Sequence, residues 1–163
     1  MLNRRFAVLL LTGVLLVPGA GQAQGNSWRK VRYNGGTIAT RVSPKDWNNT
    51  LTVAPDAIRI LLKDGQRLVI DPATVTGLSY GQEAHRRVGT MVALGILVAP
   101  VALFGLFHKT KLHYIGIEYD LPEGRKGGVL LQGHKENYRA ILQALKSVTG
   151  KEVATDAGKE KGH

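Results

Sequence analysis

Side chains capable of acid–base, nucleophilic or metal chemistry are few in this sequence, and they are scattered. The five histidines are His85, His108, His113, His134 and His163. No two of them stand at the i, i+4 helical spacing of a zinc pair, and the gap from His108 to His113 is too loose to define a metal site. His85 and His108 bracket a long apolar block, a position that suits an interfacial side chain better than a metal ligand. Glu83 lies two residues from His85 and could form an acid–base pair with it. No third group or nucleophile accompanies them, so Glu83 reads as a solvated charge beside the block. Ser43, Ser79 and Ser147 sit in no Gly-x-Ser-x-Gly elbow. Neither Gly35 with Gly36 nor Gly77 with Gly81 has the spacing of a phosphate-cradling loop. The sequence has no cysteine, which removes disulfides, thiolate metal sites, a cysteine nucleophile and a lipid-anchor cysteine together. The reading is a protein that is not an enzyme and takes no cofactor and no metal.

The cations say more. Of 163 residues, 22 are Lys or Arg and 12 are Asp or Glu, a net charge of +10. Arg29, Lys30 and Arg32 crowd one short segment and are candidates to bind an anionic lipid headgroup. Arg86 and Arg87 precede the apolar block, and Lys109 and Lys111 follow it. They are expected at a membrane interface, where each near-surface cation adds on the order of 1 kcal/mol against anionic lipid. Lys135, Arg139 and Lys146 read as the solvated face of a helix. Net charge alone argues weakly for nucleic acid, and an export signal with few interleaved aromatics argues against it.

That signal occupies residues 1–23. Arg4 and Arg5 head an apolar run from Phe6 to Val17, and small, breaker-rich residues end at Ala23, where cleavage is expected. A second apolar stretch fills residues 88–107, with Thr90 as its single polar side chain. At a helical rise of about 1.5 Å per residue it would reach roughly 30 Å, the thickness of a bilayer core. Gly95, Pro100 and Gly105 divide it, and Pro100 can kink or break a helix. A kinked spanning helix and a re-entrant hairpin both fit. Gly89, Thr90, Gly95 and Gly105 would also let copies of the segment pack closely, which motivates a homo-oligomer.

The remainder reads as short strands followed by one helix. Strands are expected over 28–33, 37–42, 47–53, 57–62, 67–70, 73–80, 112–119 and 129–132. A turn at Asn34-Gly35-Gly36 separates the first two, and a tight hairpin is expected at Asp64-Gly65. In 112–119, His113, Ile115, Ile117 and Tyr119 share one face and Leu112, Tyr114, Gly116 and Glu118 the other. From residue 135 the period changes. Tyr138, Ile141, Leu142, Leu145 and Val148 form one helical stripe, which Gly150 ends. Residues 151–163 are polar and are expected to be a disordered tail. The fold class is therefore mainly β with one C-terminal α-helix. Its domain falls in two parts, 24–87 and 108–150, around the 88–107 insert.

This order of about seven short strands and a closing amphipathic helix resembles the pleckstrin-homology-like, partly open barrel. The runs Val75-Thr76-Gly77-Leu78-Ser79-Tyr80-Gly81, His85-Arg86-Arg87-Val88-Gly89 and Leu112-His113-Tyr114-Ile115-Gly116-Ile117-Glu118-Tyr119 resemble a group of bacterial exported or membrane proteins. The resemblance implies a binding or scaffolding module rather than a catalyst. Many pleckstrin-homology domains bind phosphoinositides through cations on the first hairpin. Here the Asn34-Gly35-Gly36 turn carries no cation, with only Arg29, Lys30 and Arg32 near it, and residues 135–149 lack the tryptophan common in the closing helix.

A β domain interrupted by a membrane segment has a topological consequence. Neither half is large enough to bury a stable core alone, so both must lie on one side of the membrane, as a half-depth hairpin turning near Pro100 would allow. The expectation is an exported module in a bacterial envelope. It is held on the cytoplasmic membrane, facing the periplasm or exterior, and binds anionic lipid or a protein partner. The alternative is a structural subunit of an envelope complex that uses the apolar segment to oligomerise.

Overall fold

A computed structural model of the chain describes residues 25–93 and 112–155. The signal segment, Gly95, Pro100, Gly105, Lys109, Lys111 and the end of the tail lie outside them.

Eight strands form one sheet. They are β1 (Asn26–Gly36), β2 (Asn49–Val53), β3 (Ile58–Leu61), β4 (Arg67–Ile70), β5 (Val75–Tyr80), β6 (His113–Asp120), β7 (Lys126–Gly133) and β8 (Val153–Ala154). Helix α1 (Gln82–Ala93) follows β5, and α2 (Tyr138–Thr149) follows β7. The strand order is β4-β3-β2-β1-β7-β6-β5-β8. Two antiparallel meanders, β1 to β4 and β5 to β7, thus meet where β1 pairs with β7. Alternating side chains build the core. Val31, Leu51, Ile58, Ile60, Ile70, Leu78, Ile115, Ile117, Val129 and Leu131 all point into one cluster, which α2 caps with Ile141 and Leu145. Each large aliphatic so buried contributes about 1.5–3 kcal/mol. The α2 stripe falls where its period placed it. Gly150 adopts the left-handed cap (φ 66°) and donates its N–H to the Lys146 carbonyl.

A second, smaller cluster lies on the outer face. Ala84 and Val88, one turn apart on α1, pack on Tyr114 and Leu130, with Met91 and Leu112 at the margin. Strands β6 and β7 are therefore covered on both faces. Gly116 makes this possible, since a Cβ there would fall on the Ser79 hydroxyl and crowd Ala84.

Several expectations are corrected. Asn34-Gly35-Gly36 is not a turn: β1 runs through it, pairing Gly35 with Leu130 and Gly36 with Val129. The glycines serve close approach, because a Cβ on Gly36 (φ 140°) would fall on the Gly128 carbonyl. Residues 37–42 are then no strand, and the chain crosses irregularly to β2. Pro72–Thr74 is a 3-10 turn capped by the Asp71 carboxylate, which accepts the Ala73 N–H, so β5 begins only at Val75. The helix entering the apolar block starts at Gln82, and Val88 is fully buried against protein rather than at a lipid boundary. The tail does not begin at residue 151, for β8 pairs in parallel with β5 at Leu78 and Ser79. Among the described residues, no helix is long and apolar enough to cross a membrane. The Asp64-Gly65 hairpin is present, with Gly65 at φ 88°.

Candidate functional site

The site begins with a fault in β1. Trp28 pairs with Leu51 and Val31 with Asn49, so Arg29 and Lys30 together oppose Thr50. This is a β-bulge, a device that re-aims side chains. Lys30 carries the irregularity in a left-handed conformation, φ 58°, which costs a non-glycine residue about 1–2 kcal/mol. The surroundings hold it there. Asn137, just before α2, donates from Nδ2 to the carbonyls of Arg29 (3.0 Å) and Lys30 (3.4 Å). Lys30 Nζ lies 3.7 Å from Glu136, an exposed pair of small worth.

Asn137 is itself fixed by an aromatic corner. The Tyr138 ring stacks on His113 at 3.7 Å and 4°, and the Tyr80 hydroxyl hydrogen-bonds His113 Nδ1 at 2.7 Å. Burial, helped by the charges of Arg139 and His134, lowers the His113 pKa, which favours the neutral ring in this stack.

The opposite wall is the corner before β2. Asn49 is buried and fully used: Nδ2 donates to the carbonyls of Val31 and Asp46, and Oδ1 accepts the Lys63 N–H. That pins Trp47 in place. Arg32 lies over the Trp47 ring at 4.0 Å, donates from Nε to the Lys45 carbonyl and from Nη1 to Gln132. His134 meets the same indole edge-on at 5.6 Å. Between the walls is a surface cleft of about 750 Å³ lined by Arg29, Lys30, Trp47, Asn48, Asn49, Thr50 and His134.

The three cations expected to act together divide. Arg29 and Lys30 line the cleft and are exposed. Arg29 makes no ion pair among the described residues. Arg32 is spent on Trp47 and two acceptors, so it positions the wall while adding charge behind it. Trp47, Asn48, Asn49, Thr50 and Asn137 are the contributors that sequence reasoning did not single out, and His134 was weighed there only as a metal ligand. A Pro-containing turn followed by Trp between β-prone runs was the available signal, but a bulge and a left-handed lysine leave no mark in the sequence.

Arg86 and Arg87, expected at a membrane interface, both close on Glu83. Arg86 Nη2 lies 2.5 Å and Arg87 Nε 2.7 Å from Glu83 Oε1, and Arg87 Nη1 reaches Glu118 at 3.5 Å. Hydrogen bonds from these arginines pull the Glu83 pKa down to about 2. Glu83 is thus a buried clamp rather than a solvated charge. Among the described residues, no group of three His, Cys, Asp or Glu could hold a metal.

The cleft offers cations, an indole and amide and hydroxyl donors, with no acid facing a nucleophile. That chemistry suits reversible binding of an anion.

No family model matches the chain, and no curated protein matches it. A chain in the solved Spt16D–Pob3N heterodimer is similar at 12% identity, with a TM-score of 0.47. The match covers 86% of this chain and 60% of that one, so this chain spans less than two thirds of its length.

Proposed function

We propose that this protein is a non-enzymatic anion-binding module of the bacterial envelope, and that the β1 bulge is its recognition site. The signal-like residues 1–23 support export, and the apolar sequence that continues past α1 to residue 107 supports anchoring at the cytoplasmic membrane, facing outward. The pleckstrin-homology-like reading is supported by two strand meanders joined through β1 and β7 and closed by a C-terminal helix.

One observation carries the reading. The chain accepts an unfavourable backbone at Lys30, and the half-buried Asn137 amide holds it, with the result that two adjacent cations face one cleft. Strain that the surroundings over-determine clusters at functional sites. A purely structural β1 would pair Arg29 and Lys30 in register and need neither the bulge nor Asn137. The ligand class is a phosphate-type headgroup. Its negative oxygens would meet Arg29 and Lys30, and its polyol would meet Asn48, Thr50 and the indole.

Titration of the full chain with glycerol phosphate, read by Trp47 fluorescence, tests this. Saturable quenching that Arg29→Glu with Lys30→Glu abolishes is expected. No response, or an identical response in that variant, overturns the proposal.

A further inference from the structure

Leu61 and Val69 are the large apolar side chains left exposed among the described residues, at 39% and 62%, and the register places both beside the cleft. On the outer surface, Thr50 pairs with Leu61 and Leu61 with Arg67. The bulge residues Arg29 and Lys30 face Thr50 from the other side. The neighbouring row runs Ser27, Thr52, Arg59 and Val69. One uninterrupted sheet surface therefore leads from the cationic cleft, across a threonine, to a shelf where two aliphatics alternate with two arginines. Arg59 is paired with Asp56 at 2.5 Å. Arg67 makes no ion pair among the described residues.

We infer that this outer face of β2, β3 and β4 docks flat on an anionic bilayer, with Leu61 and Val69 entering the headgroup layer while the cleft takes one headgroup. The inference rests on the cleft reading above and deepens it. Charge complementarity selects the occupant. Two copies of the face brought together would set arginine against arginine, whereas an anionic lipid surface supplies the missing charge to Arg29 and Arg67 at once. Arginine stems also lie along apolar surface while their heads reach phosphates, so the alternation suits a lipid interface. On a strand edge exposed to water, Val69 has no packing role to explain it.

The absence of cysteine makes the test direct. Val69→Cys, and Ala140→Cys on the exposed side of α2 as control, are labelled with a solvent-sensitive fluorophore in the full chain. Each is reconstituted, module outward, in vesicles with brominated acyl chains. In vesicles containing phosphatidylglycerol, the label at 69 should be quenched several-fold more than the label at 140. Pure phosphatidylcholine, Arg67→Glu, or 1 M salt, where the screening length is about 3 Å, should each remove the difference. Equal quenching at 69 and 140, or quenching at 69 that ignores lipid charge, overturns flat docking. Failure of the two readings is told apart by glycerol phosphate. If only docking is wrong, Val69→Ser still binds it like the unmodified protein. If the cleft is wrong, neither protein binds it.

Discussion

The outer surface of the sheet is treated in two opposite ways. Over β5, β6 and β7 it is covered: α1 lays Ala84 and Val88 on Tyr114 and Leu130, and Gly116 lets the helix come close. Over β2, β3 and β4 nothing among the described residues covers it, and Leu61 and Val69 stand out between arginines. Apolar residues under α1 are buried on folding and so contribute to stability. Those on β3 and β4 gain little from folding, and their value lies in what they meet afterwards. The same alternating strand pattern thus carries two meanings, and only the presence of a covering element separates them.

The contrast can be broken most forcefully by truncation. Leu130→Ala removes a fully buried side chain under α1 and should cost about 2–5 kcal/mol. Val69→Ser should stay within about 0.5 kcal/mol. Denaturant midpoints for the two variants measure both, and comparable losses would erase the distinction. Gly116→Ala comes next. Its Cβ would fall on the Ser79 hydroxyl and press on Ala84, so Ser79 must turn away and α1 must give slightly, at a cost of about 1–3 kcal/mol. Increased hydrogen exchange confined to α1 and the facing residues of β5 and β6 would show it.

The α1 side should also be acid-sensitive. The Glu83 carboxyl sits at about 2 in the folded protein, against 4.5 as an ordinary glutamate. The stabilisation it gives is complete above pH 4.5 and drains away as pH falls toward 2. Glu83→Gln should lose that part of the acid dependence of unfolding while leaving glycerol phosphate binding unchanged. A small effect of opposite sign is expected at the bulge. Lys30→Gly relieves a left-handed lysine and should be neutral to about 1 kcal/mol stabilising. It removes a cleft cation, so binding should weaken as stability holds or rises.

How much of this is legible from sequence follows from what each feature depends on. The α2 stripe and its Gly150 cap depend on local period and one backbone preference, and both could be read. The face assignment in 112–119 follows from alternation and agrees with the split of Ile115 and Ile117 from Tyr114, and with Gly116 facing Ala84. The Asn34-Gly35-Gly36 segment misleads because glycines that permit a turn also permit close approach to β7. Val88 misleads because an apolar helix face looks the same whether lipid or Leu130 lies against it. In the cleft, Arg29 and Lys30 were visible as charges. Their partners Trp47, His134 and Asn137 come from distant segments, and only the β1–β2 and β1–β7 registers bring them together.

The most direct measurement is a two-dimensional amide and indole spectrum of the full chain titrated with glycerol phosphate. The account predicts saturable shifts of the Trp47 indole N–H and of the Arg29, Lys30, Asn48, Thr50 and His134 amides, with the Trp28 indole unmoved. A spectrum that does not change, or shifts centred on α1 instead, would contradict it.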